Sequence, residues 1–439
     1  MGRSGKLTAR MAVLCPFRAL WPRAGWRPLG AVGLAVAALL GSQAAAQQMS
    51  VDSAADAITE GRLLLELRPR YADIWDAGLN ERGHAWTMRS TLGWQTATFD
   101  DFRAVVEGIH TDVVDPHHLS IDSPQYYVES LQYPLLPDPR ETDTNRVYLE
   151  YLGLPDTRVR LGKQPIRLDN ERFFSDVDFR QTPMLFNGLT VVNQSLPDTE
   201  VVAALLNRIR TVFATQIRTR IWVLRVAYSP LQDQSIAAYG FGVNQPVTGS
   251  DTDLADNSHQ VFGLRAEGAV PTGLAFTALY TAEVAHQRHY AGGDPLIEAD
   301  YWRLGGGAVM PRLAGFGVRI DREVKTSNAG QYGFQTPFED SYAFNGWALQ
   351  FTSTPKTGLR DTWLSVRAQP GRFTLVAEAH RFGATYGGLD YGHELDLRVA
   401  YAVTNSVTLK LQHARFRPGD PAAGFFDVTK TWLSLTYDY

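Results

Sequence analysis

The chain reads as an all-β protein: a transmembrane antiparallel β-barrel of about 18 strands, with short periplasmic turns and long extracellular loops. Three observations predict this. From Arg62 to the C-terminus, apolar and polar residues alternate with a period of two. The connections between the alternating segments are short and long by turns. The last segment is amphipathic and ends on an aromatic, with Leu433, Leu435, Tyr437 and Tyr439 on one face and Trp432, Ser434, Thr436 and Asp438 on the other. At 439 residues a soluble chain would suggest more than one domain. No Pro/Ser-rich run, charge block or shift of period divides this one.

The N-terminus carries an export signal. Arg3, Lys6, Arg10, Arg18, Arg23 and Arg27 form a basic lead, Leu29 to Leu40 is apolar, and Ala44-Ala45-Ala46 offers a cleavage site before Gln47. The expected layout is a signal peptide over 1–46, a periplasmic lead over 47–60 and the barrel over 61–439. Cleavage removes the one cysteine, Cys15, and with it thiol and disulfide chemistry. Taking six of the 42 basic residues away leaves 36 against 46 acidic ones, a mature net charge near −10. That balance gives no electrostatic footprint for nucleic acid. No later stretch has the apolar length of a membrane-spanning helix, so any crossing must be made by strands.

Each strand is justified by alternation. Leu63, Leu65 and Leu67 alternate with Arg62, Glu66 and Arg68. Trp86, Met88, Leu92 and Trp94 alternate with Thr87, Arg89 and Thr91. The same holds for Val159 and Leu161 against Arg158 and Arg160, and for Ile217, Ile221 and Val223 against Arg218 and Arg220. Further on, Phe276, Ala278 and Tyr280 oppose Thr277, Thr281 and Glu283, and Leu395 and Leu397 oppose Glu394, Asp396 and Arg398. Strands are expected near 61–71, 84–97, 101–113, 143–152, 156–164, 187–195, 200–212, 216–228, 233–243, 258–269, 273–287, 299–311, 314–324, 360–369, 373–382, 392–403, 406–415 and 429–439. The stretch Val201 to Phe213 also fits one helical face; its strand neighbours decide for a strand. Connections 153–155, 229–232, 271–272, 312–313, 370–372 and 404–405 are short. Connections 72–83, 114–142, 165–186, 244–257, 288–298, 325–359, 383–391 and 416–428 are long. Only 213–215 breaks the parity, being short on the long-loop side.

Alternation also nominates the lumen. Its basic side chains are Arg89, Arg103, Arg146, Arg158, Arg160, Arg218, Arg220, Arg265, Arg303, Arg319, Arg367, Arg398 and Lys410. Its acidic side chains are Glu107, Glu150, Glu267, Glu283, Asp321, Glu378, Glu394 and Asp396. Basic groups outnumber acidic ones, and a positive lining attracts anions. The competing expectation is that opposed charges form structural ion-pair ladders. Two long loops are candidate constrictions: the segment with Lys163, Arg167, Asp169, Arg172 and Arg180, and the segment with Glu339, Asn345 and Trp347. Their aromatics, Phe173, Phe174, Phe338, Phe344 and Trp347, are expected to wedge the loops against the wall, with stacking on sugar rings as the alternative. His110, Asp112, Asp115, His117 and His118 crowd one loop start, but no spacing fixes a metal geometry, and a solvated loop is the expectation. Gly305, Gly306 and Gly307 have no helix after them and make no phosphate loop. No nucleophile-and-base motif stands out and nothing calls for a cofactor.

The segment VRLGKQPIRLDNERFFSDVDFRQTPMLFNGLTVVNQSLPDT (159–199) resembles the central block of the alginate-export outer-membrane porins. NRVYLEY (145–151), YTAEVAHQ (280–287), YGFQTPFEDSYAFNGWALQFTSTPKTGLRDTWLS (332–365) and YGHELDLRVAY (391–401) resemble further blocks of that family. Gly162-Lys163-Gln164 and Arg180-Gln181-Thr182 depart from its usual Gly-Arg-Gln and Arg-Gln-Asn. The resemblance implies an 18-stranded barrel in the bacterial outer membrane, passing an anionic polysaccharide or another anionic or sugar-like solute. The implied partners are outer-membrane lipid, that solute, and the barrel-assembly machinery through the C-terminal strand. The alternatives are a non-selective small-solute porin, a barrel-type lipase or protease, and a secreted soluble β protein.

Overall fold

The computed structural model describes residues 50–114, 132–136, 138–245 and 256–439. The expected signal peptide lies outside the described residues. Strands β1 (Arg62–Asp76), β2 (Gly83–Gln95), β3 (Phe102–Val113), β4 (Glu141–Leu154), β5 (Thr157–Gln164), β6 (Leu185–Asn193), β7 (Thr199–Arg210), β8 (Gln216–Leu231) and β9 (Gln234–Asn244) make the first half. Strands β10 (His259–Pro271), β11 (Thr277–His289), β12 (Glu298–Met310), β13 (Phe316–Lys325), β16 (Leu359–Ala368), β17 (Phe373–Gly383), β18 (Asp390–Ala402), β19 (Val407–Pro418) and β20 (Val428–Asp438) make the second. These 18 strands form one antiparallel sheet, and β1 pairs with both β2 and β20, which closes it. Closure leaves no unpaired edge, the condition for strands to cross lipid. The two remaining strands, β14 (Ser327–Asn328) and β15 (Tyr332–Gly333), form a small hairpin inside one loop.

The ambiguous stretch is strand β7, and its tight turn closes with the Thr211 amide donating to the Thr215 carbonyl at 2.9 Å. Before the barrel, helix α1 (Ala54–Thr59) starts at Ser53, whose hydroxyl accepts from the Asp56 amide at 3.1 Å. The Trp94 indole donates to the Ile58 carbonyl at 2.9 Å, so α1 rests on the barrel end that carries the short turns. There the chain reverses tightly, as over 311–315, where Ala314 and Gly315, with φ values of 51° and 63°, are the central residues of a turn closed by the Phe316 amide donating to the Leu313 carbonyl at 2.9 Å.

The outer face is an apolar belt: Leu161, Leu205, Leu264, Leu304 and Ile320 are each more than half exposed. Part of the interior is filled. Two loops, 165–184 between β5 and β6 and 326–358 between β13 and β16, fold inward and meet. The Ser175 amide donates to the Phe338 carbonyl at 2.8 Å and the Asp340 amide to the Glu171 carbonyl at 3.2 Å. Each loop packs on a wall. Phe173, Phe174, Phe334 and Phe338 join Phe186, Ile221, Val223 and Phe241 in one buried cluster. Phe179, Tyr342, Trp347 and Phe351 join Phe382, Tyr391, Phe416 and Trp432 in the other.

These clusters correct one expectation. On β8 the inward residues are Ile221 and Val223, buried against the loop phenylalanines, while Arg218 and Arg220 are exposed on the outer face with Leu224. Where the lumen is packed by apolar loop side chains, its wall must be apolar too, so polarity alternates in the opposite sense.

Loop 165–184 leaves and re-enters the sheet beside a glycine pair. Gly162 and Gly188 face each other across β5 and β6 with φ of 136° and 153°. A Cβ on Gly188 would fall 2.1 Å from the Leu205 carbonyl oxygen. Gly188→Ala is therefore expected to cost about 1–3 kcal/mol. It should lower the temperature at which the folded barrel loses its compact mobility on a gel, while Leu189→Ala on the same strand changes it less.

Candidate pore constriction

The two inward loops are knotted at Arg172. Its guanidinium, fully buried, pairs with Glu339 at 2.7 Å and with Glu323 on β13, and donates to Asn345 Oδ1 at 3.2 Å. Tyr301 donates to the other oxygen of Glu323 at 2.8 Å. Lys325 donates to Thr336 at 2.8 Å and to Glu339 at 3.2 Å. The Phe344 ring lies 4.5 Å from the Arg172 guanidinium carbon. Two carboxylates, a lysine and an arginine thus neutralise one another in a site closed to solvent, the condition under which buried charges are tolerated. Glycine makes room for a second network beside it. Arg303 and Arg319 grip Asp321 at 2.8 Å and 2.5 Å, and a Cβ on Gly305 would fall 1.9 Å from Asp321 Oδ1.

A second junction ties loop 165–184 to β1 and β2. Arg68 donates to the Asp178 and Arg180 carbonyls at 2.8 Å and 2.5 Å and to the Gln181 side chain at 3.1 Å. Arg70 donates to the Phe179 carbonyl at 2.6 Å. Arg89 pairs with Glu66 at 2.9 Å and with Asp178 at 3.1 Å. Arg167 pairs with Asp176 at 2.5 Å. Burial would raise the Asp178 carboxyl, but Arg89, Arg68 and Arg167 outweigh it and hold the group well below the usual carboxylate range. The Asp178 side chain is still 42 % exposed, so it is in contact with lumen water.

On strands β3 to β5 the charges are ordered by depth. Glu107 and Glu150 are buried, each with a side chain 1 % exposed. Arg146 covers Glu107; Arg160, at 2.8 Å, and Arg158, at 3.8 Å, cover Glu150, which also accepts from Arg103. The side chains of Arg146, Arg158 and Arg160 are 34 %, 43 % and 24 % exposed. Water in the lumen meets guanidinium, with the carboxylates behind it.

Opposite charges segregate elsewhere on the wall. Lys410, Ser434 and Arg70 lie in one register row across β19, β20 and β1, one strand from Arg398 on β18. Among the described residues, Arg398 and Lys410 have no carboxylate in ion-pair range; Arg398 lies 5.4 Å from the Trp347 ring. On β16 to β18 the balance is acidic. His380 contacts Asp361 at 2.9 Å, and its other ring nitrogen is 3.8 Å from Asp396. Glu394 and Asp396 accept from the Ala348 and Trp347 amides at 2.6 Å and 3.2 Å, which anchors loop 326–358. Ligand-capable atoms of Glu378, His380 and Asp396 lie within 4.8 Å of one another, a grouping with no sequence-local signature.

The structure therefore distributes the nominated residues unequally. Arg89, Arg146, Arg158, Arg160, Arg265, Arg303 and Arg319 each have a carboxylate partner, and Arg265 shares Glu267 and Glu283. Arg367 is buried on the inner face of β16. Lys163 binds Asp143 at 2.8 Å, and Asp169 is held to the wall by Arg225 at 2.6 Å. Arg180 contributes chiefly its carbonyl, which accepts from Arg68. Phe173, Phe174, Phe338, Phe344 and Trp347 are all buried as wedges. Asp112 pairs with Arg140 at 2.8 Å and His110 bonds Thr142 at 2.8 Å; Asp115, His117 and His118 lie outside the described residues. Not nominated were Arg68, Arg70, Arg210, Glu323 and Lys325. Arg68 was detectable, since it alternates with the β1 leucines; Lys325 ends β13 and not the loop.

No protein-family model matches the chain, and no curated protein matches it by sequence. Solved structures match along almost its whole length. OccAB2 from Acinetobacter baumannii superposes with a TM-score of 0.67 at 11% identity, covering 88% of this chain and 99% of that one. A BenF-like porin from Pseudomonas fluorescens Pf-5 gives 0.65 at 12% identity, covering 87% and 100%. OccD3 (OpdP) from Pseudomonas aeruginosa gives 0.65 at 12% identity, covering 88% and 93%. At these identities the likeness is one of fold, and it does not single out the alginate-export family. The chain has the closed 18-stranded barrel fold of these outer-membrane porins.

Proposed function

We propose that the protein is a passive outer-membrane channel that prefers small anionic or sugar-like solutes, carboxylate-bearing sugars among them. The observation that carries this is the layering on β3 to β5, where water-facing Arg146, Arg158 and Arg160 cover buried Glu107 and Glu150. Guanidinium forks suit planar carboxylates. Arg398 on β18, with no carboxylate in ion-pair range among the described residues, adds positive potential elsewhere on the wall. The resemblance to alginate-export porins supports uronate-type solutes. On the same reading, residues 1–46 direct export, 47–60 stay in the periplasm, and the amphipathic β20 is read by the barrel-assembly machinery. The barrel-hydrolase alternative is less favoured. His380 has an Asp361 partner, as a catalytic base needs, but its other nitrogen faces Asp396, an acceptor, and among the described residues no hydroxyl bonds it.

In a planar bilayer under a potassium chloride gradient, the refolded mature chain is expected to show a reversal potential favouring chloride. Arg146→Gln, Arg158→Gln and Arg160→Gln combined should lower the chloride-to-potassium permeability ratio several-fold, and galacturonate oligomers should block the parent channel more than neutral sucrose does. Potassium preference in the parent would sink the anion reading.

Removing Arg172 leaves Glu323 and Glu339 facing each other in a dry site. Arg172→Ala is expected to cost the joint about 3–5 kcal/mol. The readout is single-channel conductance, which should rise and become noisier as the loops part; unchanged conductance would mean that the loops do not set the bore.

Asp178 titrates in a defined direction. Its folded value is depressed, so its stabilisation of loop 165–184 is present at neutral pH and is lost only as pH falls below the ordinary carboxylate range. Conductance should be steady from pH 7 to pH 5. Asp178→Asn at pH 7 should reproduce the change seen in the parent under strong acid.

A further inference from the structure

One stretch of the outer face gathers cations. Across β13, β16, β17, β18 and β19 the register aligns Arg322, Thr362, Arg381, His393 and Arg417 in a single row. Arg322, Arg381, His393 and Arg417 are exposed and point away from the lumen. The next outward row toward the short-turn end is Ile320, Leu364, Ala379 and Leu395, with Arg415 completing it. Ile320, Leu364 and Leu395 are among the exposed large apolar side chains of the lipid belt. Two residues along a strand rise about 7 Å. The cations therefore lie beyond that apolar row, toward the long-loop ends of these strands, the side on which headgroups lie. Arg360 joins Arg322 and Arg381 around a groove of about 500 Å³ whose floor includes Thr362 and Phe382. The one carboxylate at its edge is Asp390, which accepts from Arg381 at 3.2 Å. Among the described residues, Arg322 and Arg417 have no carboxylate in ion-pair range.

A row of arginines is an expensive choice for a surface that touches hydrocarbon, because each exposed guanidinium there needs an anion or water. It is stabilising where phosphates are present at the same height, since guanidinium forks bind phosphate oxygens in pairs. Lumen solutes do not reach this face. Inorganic phosphate in solution would not require the adjoining apolar row, whereas a lipid offers acyl chains to Ile320, Leu364 and Leu395 and phosphates to the arginines above them.

We propose that the outward face at the long-loop ends of β13 and β16–β19 binds the phosphorylated headgroup of an outer-leaflet lipid. The proposal rests on the outer-membrane reading, and it is separate from solute passage. Its test is native mass spectrometry of the full mature chain, refolded in detergent, titrated with bisphosphorylated lipid A, with dephosphorylated lipid A and with inorganic phosphate as competitor. The expected result is a bound lipid A that excess inorganic phosphate does not displace, with the dephosphorylated lipid binding markedly less. Arg322→Gln, Arg381→Gln and Arg417→Gln combined should weaken lipid A binding on the order of ten- to a hundred-fold. Equal binding of the dephosphorylated lipid, or an unaffected triple variant, would overturn the proposal. So would a lipid-free dimer that the triple variant abolishes, which would assign the face to a second copy of this chain. Conductance of the triple variant in phosphatidylcholine bilayers separates the two readings: if it is retained, the channel stands whatever the lipid result, and if the parent also lacks it, the channel reading fails.

Discussion

The two inward loops are joined to each other and to the wall at one buried guanidinium. Arg172 arrives from the first inward loop, Glu339 and Asn345 from the second, and Glu323 from the wall. A cylinder this wide would otherwise hold water along its whole axis. Burying Arg172 is tolerated only because three separate segments converge to satisfy it. That convergence in turn places the phenylalanines beside it. Phe173 and Phe174, next in the chain, pack on Phe241 and Phe186. The charge fixes position, and the aromatic clusters supply the bulk of the apolar burial.

The result is an interior with two kinds of wall. Beneath the loops it resembles a protein core, dry and close-packed. Along β3 to β5 it is wet, and there the order of burial matters more than the number of charges. A carboxylate with a side chain 1 % exposed behind an arginine 43 % exposed contributes little of its own field to the passage. Net charge summed over a lumen would miss this, since an ion pair seen end-on is not neutral to a solute that touches only one end of it.

The strands were legible because a period of two is imposed by backbone geometry and survives any solvent. The long inward loops were legible from their length. What could not be read was which face looks inward. Alternation on β8 separates Ile221 and Val223 from Arg218 and Arg220, but assigning the polar set to the lumen assumes a wet lumen, and loop 165–184 makes this sector dry. The pairing of Arg172 with Glu339 was also hidden: they lie on different loops, and nothing in either loop's sequence specifies the other. The acidic grouping of Glu378, His380 and Asp396 was illegible for the same reason, being assembled from neighbouring strands. Arg68 and Arg70 obeyed the rule that was used, and their role as anchors for a loop backbone is not a property of residue type.

The seam between the first and last strands is the one joint of the cylinder made by chain ends distant in sequence, and loop 165–184 lies across it. On one side Arg68 and Arg70 of β1 hold the Asp178, Arg180 and Phe179 carbonyls; on the other the Phe179 ring meets Trp432 of β20, 5.5 Å between ring centroids. The loop is thus a clasp on a hoop. Seated on β1, the loop offers β20 an aromatic surface at a fixed height. Registration of the last strand, which by hydrogen bonds alone could slip by a residue pair, is then checked from the inside.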